Sequence, residues 1–291
     1  MRIGPLEIRN TDKLLSPDMR ICALLAAPAK FGKTSLAAQL NALTMKYRGK
    51  PTLIIATEAA EGGGTMSVAK LGIDYVMPAN YSEMSALIAS LKGDTKYGGV
   101  ILDNGTEYVN RIVKPHALTF KSTETGLGAR ELGVPVRSDY QIMGEAARMQ
   151  LNQLINLTNE NTKDSYRKDL IVTALERDKT EQTDAGEVSI TVPDFPGALA
   201  NVATALFQSV LSIKIKDRVV PDPAKPGATK RIKARVLHVK ADGRRVTDDR
   251  TGLFVHEYYL TDEAGRPNPN ALIEMYEQWR ATLVVAPPAQ V

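Results

Sequence analysis

Apolar positions along the chain follow two rhythms. Short unbroken apolar runs at 21–26 (ICALLA), 51–56 (PTLIIA), 99–102 (GVIL) and 169–174 (DLIVTA) predict strands buried on both faces. Between them, helical spacing predicts helices over 34–47, 66–71 (closed by Gly72), 82–91 (with Ser82 as cap) and 140–157. A further helix is expected over 198–206, a run of strands from 209–216, a turn at 222–227 (DPAKPG) between two strands, and a final helix over 272–282 before a frayed APPAQV tail. Residues 1–20 read as a lead-in segment, and 113–138 mixes Gly, Thr, Ser and Arg without a clear period. The polar, Gly-containing stretch 178–187 reads as a mobile loop. Strands alternating with helices predict an α/β fold with a mostly parallel central sheet flanked by helices.

Composition narrows the class of protein. The 291 residues are 43% hydrophobic and 24% charged, which excludes a disordered chain, a coiled coil and a collagen-like fibre. No apolar run approaches the roughly 18 residues of a membrane-spanning helix, and the N-terminus MRIGPLEIRNTDK lacks the apolar region of a signal peptide. Cys22 is the single cysteine and there are three histidines, which argues against a disulfide framework, a cysteine zinc site or a His-built metal site. A reducing, cytoplasmic setting is the expectation. The net charge is +4, but residues 211–250 hold twelve Lys or Arg against five Asp or Glu, an excess of seven that leaves the remainder at −3. Such an excess suits a nucleic-acid surface or a solvated Lys-rich hairpin.

The most specific chemical signal is Ala27-Pro28-Ala29-Lys30-Phe31-Gly32-Lys33-Thr34, followed by Ser35. It matches a Walker A phosphate loop with Ala in place of the first Gly, lying between a predicted strand and a predicted helix. Backbone amides of such a loop form an anion nest at a helix N-terminus. Gly32 lets the backbone approach phosphates, Lys33 supplies a cation to the β and γ phosphates, and the Thr34 hydroxyl is a Mg²⁺ ligand. Ala27 is tolerable only if its φ stays negative. Asp103, ending the 99–102 strand, is either the acidic Mg²⁺ partner or the start of an Asx-turn with Asn104 and Gly105. ATP and Mg²⁺ are the expected ligands. Hydrolysis also needs a group to position water, and Glu58, just past the second strand, is preferred over Glu61, which precedes Gly62-Gly63-Gly64.

With these segments placed, the chain resembles the RecA-like P-loop ATPases, most of all the phage nucleotide-binding proteins proposed to act as single-strand annealing recombinases. The segments are APAKFGKTS, IIATEAAEGGGTMSVAKLGID, GVILDNGTEY, DLIVTALERD and DDRTGLF, spanning roughly 20–255. The resemblance implies a single domain over 1–291, with a RecA-like core over about 20–216 and a strand-rich C-terminal extension over about 217–291. It implies Glu58 as the water-positioning residue, ATP sites between subunits of a ring or filament, and single-stranded DNA held without sequence preference. Two departures stand out: Leu175 occupies the place of a polar sensor, and Asp248 stands where related proteins carry Lys. A cation completing a neighbour's site is then Arg250, with Lys240 second; otherwise Arg250 is a turn residue pairing with Asp248 or Asp249.

The loops implied to hold DNA are 114–137, with Lys114, His116, Phe120, Lys121, Arg130 and Arg137, and 177–191, where Arg177 and Lys179 are outnumbered by acids. The basic stretch 225–240 offers a further phosphate surface. Four functions remain open on the sequence. They are a DNA-binding recombination or annealing ATPase, a ring helicase or translocase, a nucleotide-gated binding module with little turnover, and a small-molecule P-loop kinase with Arg244, Arg245 and Arg250 in its lid.

Overall fold

The computed structural model describes residues 2–3, 6–7, 16–58, 63–119, 135, 137–159, 163–183, 186–196, 199–222, 224–225, 227–242 and 244–285. The lead-in carries a two-stranded pair, β1 (Arg2–Ile3) and β2 (Leu6–Glu7). The body is a nine-stranded sheet, flanked by helices on both faces, that takes up most of the remaining strands. They are β3 (Cys22–Ala26), β4 (Thr52–Ala56), β5 (Asp74–Val76), β6 (Gly99–Asp103), β7 (Asp169–Ala174), β10 (Ser209–Pro221), β11 (Thr229–His238), β12 (Asp248–Asp249) and β13 (Tyr258–Tyr259). Their order is β13-β11-β10-β3-β7-β6-β4-β5, with β12 pairing β10. From β10 to β5 every pairing is parallel, and β11, β12 and β13 join antiparallel. The strand that carries the phosphate loop, β3, is thus separated from the Asp103 strand, β6, by β7. This is the α/β arrangement, with a mostly parallel central sheet flanked by helices, that the sequence predicts.

The central strands are buried along their whole length because both faces are covered, which is why they read as continuous apolar runs. On one face α1 (Lys33–Arg48) and α7 (Ala271–Val285) pack Leu36, Leu40, Met275 and Trp279 against Ile54, Ile101 and Ile171. On the other face lie α2 (Tyr81–Gly93), α3 (Gly105–Tyr108), a π turn (Val109–Val113), α4 (Lys114–Ala117), α5 (Arg137–Ile155) and α6 (Leu199–Leu206). They bury Ile88, Tyr108, Leu151 and Ala203 against Leu24, Val100 and Val172.

The far end of α1 is fastened at the base of the sheet. Arg48 Nε donates to Asp169 Oδ2 at 3.1 Å, and its Nη2 donates to the Met19 carbonyl and the Tyr276 hydroxyl, each at 3.0 Å. Asp169 Oδ1 in turn accepts the Ile21 amide at 2.7 Å. Both charged side chains are buried, so losing one partner would strand the other without solvent.

Several elements differ from the sequence reading. The cap of α2 is Asn80, not Ser82: its backbone is extended, its Oδ1 accepts the Glu83 amide at 2.9 Å, and Glu83 reaches back to the Ala79 amide at 2.8 Å. Part of 113–138 is helical, because the turns that begin at Gly105 run on to Ala117 and α5 starts at Arg137; Phe120, Lys121 and Arg130 lie outside the described residues. Residues 178–183 and 186–187 belong to a hairpin of β8 (Glu176–Thr183) and β9 (Gly186–Pro193). Its polarity misled because the ribbon is solvated: Asp178 sits opposite Thr191 and accepts its hydroxyl at 2.8 Å, rather than facing a core. The 222–227 turn joins β10 and β11 as expected, with Pro221 opposite Thr229.

β10 and β11 outrun the sheet. Ser212 lies beside Ala26, the last residue of β3, yet β10 continues to Pro221. At about 3.3 Å per residue the two-stranded ribbon extends roughly 30 Å past the start of the phosphate loop.

Candidate functional site

The chain leaves β3 at Ala27, whose amide donates to the Ala174 carbonyl of β7 at 3.2 Å. Among the described residues, only Lys30 and Glu257 are non-glycines with positive φ. Ala27 therefore keeps a negative φ, and its methyl is buried in the core with α1, so it replaces the expected glycine without strain. Lys30 (φ 66°) and Gly32 (φ 89°) turn the loop into α1, which begins at Lys33. Lys33 folds back over the loop: its Nζ donates to the Ala27 and Pro28 carbonyls, both at 2.9 Å. Burial lowers the Lys33 pKa, opposed by the charges of Asp103, Glu176 and Glu58. The ammonium is thus held at the loop by groups it can release when an anion arrives. Ser35 is exposed on the first turn of α1, and Ala29 is exposed at the loop's rim.

The acidic half of the site comes from β6 and β4. Asp103 is 2% exposed; its Oδ2 accepts the Thr34 hydroxyl at 2.9 Å and its Oδ1 accepts the Thr173 hydroxyl at 2.5 Å. Burial raises the Asp103 pKa, the two hydroxyl bonds oppose that, and the Glu58 charge adds to it. The Asx role falls instead to Asn104, which caps α3 by accepting the Glu107 amide at 2.7 Å. The peptide bond between Asp103 and Asn104 is cis. Glu58 is held from two sides: Oε1 accepts Asn104 Nδ2 at 2.8 Å, and Oε2 accepts the Gly64 amide. A β-carbon at Gly64 would lie 3.0 Å from Thr34 Oγ1, 3.3 Å from Asp103 Oδ2 and 3.5 Å from Glu58 Oε1. Gly64 thus closes directly over the site, where a side chain would fill the space between the three. Glu61 lies outside the described residues.

Lys33, Thr34, Asp103 and Glu58 are therefore brought together, as the sequence reading placed them. Arg250 is not at this site. β12 pairs with Ser209 and Val210 at the start of β10, and the Arg250 amide donates to Gln208, whose own amide bonds Cys22. That is the end of the sheet opposite the phosphate loop. Arg250 pairs there with Asp248 at 3.3 Å, both largely exposed.

Two further arginines lie at the site: Arg235 carried no local signal in the sequence, and Arg245 was considered there only as a lid residue of a P-loop kinase. Arg235, on β11 opposite Ile215, rests its guanidinium on the outer wall of the loop, 3.2 Å from where a Gly32 β-carbon would stand, with Nη2 3.4 Å from the Lys30 carbonyl. Among the described residues it has no carboxylate partner. Arg245 bonds both carboxylate oxygens of Glu176 at 2.6 Å and Ser212 Oγ at 2.8 Å, while the Ser212 hydroxyl also donates to Glu176 at 2.6 Å. Glu176 follows Leu175, so the polar group at the end of β7 is a buried carboxylate tied to the C-terminal part of the chain. Only their distant sequence positions hid these contacts, 205 and 69 residues from their partners.

Much of the expected phosphate surface is internally neutralised. Arg177 pairs with Asp194, Lys179 with Glu181, Lys214 with Asp242, Lys216 with Glu257, Arg218 with Glu263 and Lys233 with Asp217. Among the described residues of the basic stretch, Lys225, Lys230, Arg231, Arg235 and Lys240 have no ion-pair partner, and neither has Arg244 beyond it. No described helix is long and apolar enough to cross a membrane.

No protein-family model and no curated protein matches the chain. Among solved structures it is similar to a KaiC-like protein from the hyperthermophilic archaeon Pyrococcus horikoshii OT3, at 11% identity over 74% of this chain and 76% of that one, with a TM-score of 0.34.

Proposed function

We propose that the chain binds ATP with Mg²⁺ at the loop spanning Ala27, Pro28, Ala29, Lys30, Phe31, Gly32, Lys33, Thr34 and Ser35, and hydrolyses it. The observation that carries this is the convergence of the Thr34 hydroxyl and the Asp103 carboxylate, 2.9 Å apart, beside a lysine folded onto its own loop. A hydroxyl facing a buried carboxylate is a donor set suited to a hard dication, so Thr34 and Asp103 would hold Mg²⁺. When bound, that ion neutralises charge on the β and γ phosphates. Amides from 29 to 34 and the N-terminus of α1 receive the polyphosphate. Lys33 exchanges the Ala27 and Pro28 carbonyls for phosphate oxygens. Glu58, fixed by Asn104 and Gly64, orients the attacking water and takes its proton. Arg250 or Lys240 of a neighbouring copy would supply the missing transition-state cation, which makes a homo-oligomer part of the reading. Single-stranded DNA is the proposed partner, held by the unpaired cations of the ribbon and its flanks in recombination or annealing.

One observation favours a second reading, a nucleotide-gated module with little turnover. Leu175 is apolar, and the adjacent Glu176 is already occupied by Arg245. Calorimetric titration with ATP and Mg²⁺, followed by phosphate-release assays with and without single-stranded DNA, separates the two. Lys33→Ala should weaken binding by about 30–150-fold, the equivalent of 2–3 kcal/mol for a charge-assisted contact. Absent binding by the wild type, or binding unaltered in that variant, refutes the reading. Tight binding without hydrolysis selects the gated module.

A further inference from the structure

The fold brings two of the three histidines together, far apart in chemistry from the oxygen donors of the phosphate loop. We propose that His238, His256 and Glu257 form a site for a transition-metal dication of the Zn²⁺ class. One ring nitrogen of each histidine and a carboxylate oxygen of Glu257 all lie within 4.8 Å of one another. His238 ends β11 and is 4% exposed; the two rings are 4.8 Å apart between centroids, tilted by 59°.

The hydrogen bonding around the rings leaves metal-ready atoms. His238 Nε2 faces Asp242 Oδ2 at 3.2 Å and Lys214 Nζ at 3.1 Å. In the tautomer that donates Nε2–H to Asp242, with Lys214 held by the same carboxylate, Nδ1 carries a bare lone pair, the carboxylate–histidine arrangement that orients metal ligands. Nδ1 is buried and has no hydrogen-bond partner among the described residues. His256 receives the Val239 amide at Nδ1, 3.4 Å away, which leaves Nε2 3.8 Å from Glu257 Oε1. His256 also lines an open cavity of about 600 Å³, a route for an ion and its remaining waters.

Two imidazoles and one carboxylate suit Zn²⁺, Co²⁺ or Ni²⁺ and discriminate against Mg²⁺, which prefers oxygen throughout. Two lysines hold the carboxylates when no metal is present: Lys216 on Glu257 Oε1 and Lys214 on Asp242 Oδ2 at 2.6 Å. The dication therefore competes with Lys216 for Glu257, whereas Asp242 keeps its place behind His238. Binding here would join the end of β11 to the turn that precedes β13.

The test is a titration of untagged full-length protein with Co²⁺ in excess Mg²⁺, read by visible d–d absorption and followed by displacement with Zn²⁺. A single saturating site is expected. His256→Ala and Glu257→Gln, both partly accessible positions, should each weaken it by at least about tenfold, and Asp242→Asn by about 10–100-fold. Lys216→Ala should tighten it, an effect that a merely structural role for these residues does not produce. Far-ultraviolet circular dichroism checks that each variant is folded. Absence of a saturating d–d signal, or affinity unchanged in both His256→Ala and Glu257→Gln, overturns the site.

Discussion

Removing Arg245 should strand a buried charge at the end of β7. Glu176 is 5% exposed at its side chain and receives Arg245 Nη1 on both oxygens plus the Ser212 hydroxyl. In Arg245→Met the hydroxyl is the only one of these contacts that survives. Breaking one side of a fully buried pair costs about 3–5 kcal/mol. Arg245 is one-fifth exposed, so solvent screening lowers the expectation to about 2–3 kcal/mol. Urea unfolding measures it as a lower midpoint at unchanged slope. The double variant Glu176→Gln/Arg245→Met removes the charge together with its partner and should recover about 1–2 kcal/mol of that loss. A second readout follows from position, because the Glu176 charge acts on Lys33. An unpaired carboxylate there repels an incoming polyphosphate, so ATP affinity should fall further in the single variant than in the double. A single variant within about 0.5 kcal/mol of wild type, or a double variant no more stable than the single, refutes this account of the end of β7.

Gly32→Ala should destabilise by about 1–2 kcal/mol through its φ of 89° and should also push Arg235 off the loop, weakening ATP binding. Gly49→Ala is the control: its φ is 64° but nothing lies within 4 Å, so thermal melts should show comparable strain while ATP titration remains normal. Asp103 gives a pH signature. Its pKa is raised by burial, so its favourable contribution is complete below the unfolded value of about 3.9 and is lost as pH rises through the folded value. Asp103→Asn stays neutral, so urea melts across the acid range should show the variant gaining on wild type as pH rises; parallel curves would contradict the assignment.

How far the sequence could be read depends on how local each signal is. The loop at 27–34 was legible because eight consecutive residues carry its pattern, Asp103 because it closes a buried strand, and Glu58 because it lies two residues past one. Arg235 was not, and Arg245 was weighed only as a lid residue rather than as the partner of Glu176, since these contacts arise from the pairing of β11 beside β10 and from a loop folding back onto β7. β8 was hidden because ERDKTEQT holds no apolar residue, whereas β9 does alternate, with Val188, Ile190 and Val192 between polar positions, and its signal was overlooked. Asn80 was passed over for Ser82 because both are good caps and only the backbone conformation decides between them. Counting three histidines weighed against a metal site, but a count carries no information about which of them a turn brings together.

The fastening of Arg48 to Asp169, Met19 and Tyr276 has a mechanical consequence. A rod bolted at its foot cannot slide along the sheet without breaking buried ionic contacts. α1 is therefore a fixed post, and any rearrangement near its upper end falls on what surrounds that end: Gly64 beside Thr34, the arginine against Gly32, and the overhanging ribbon that carries Arg235.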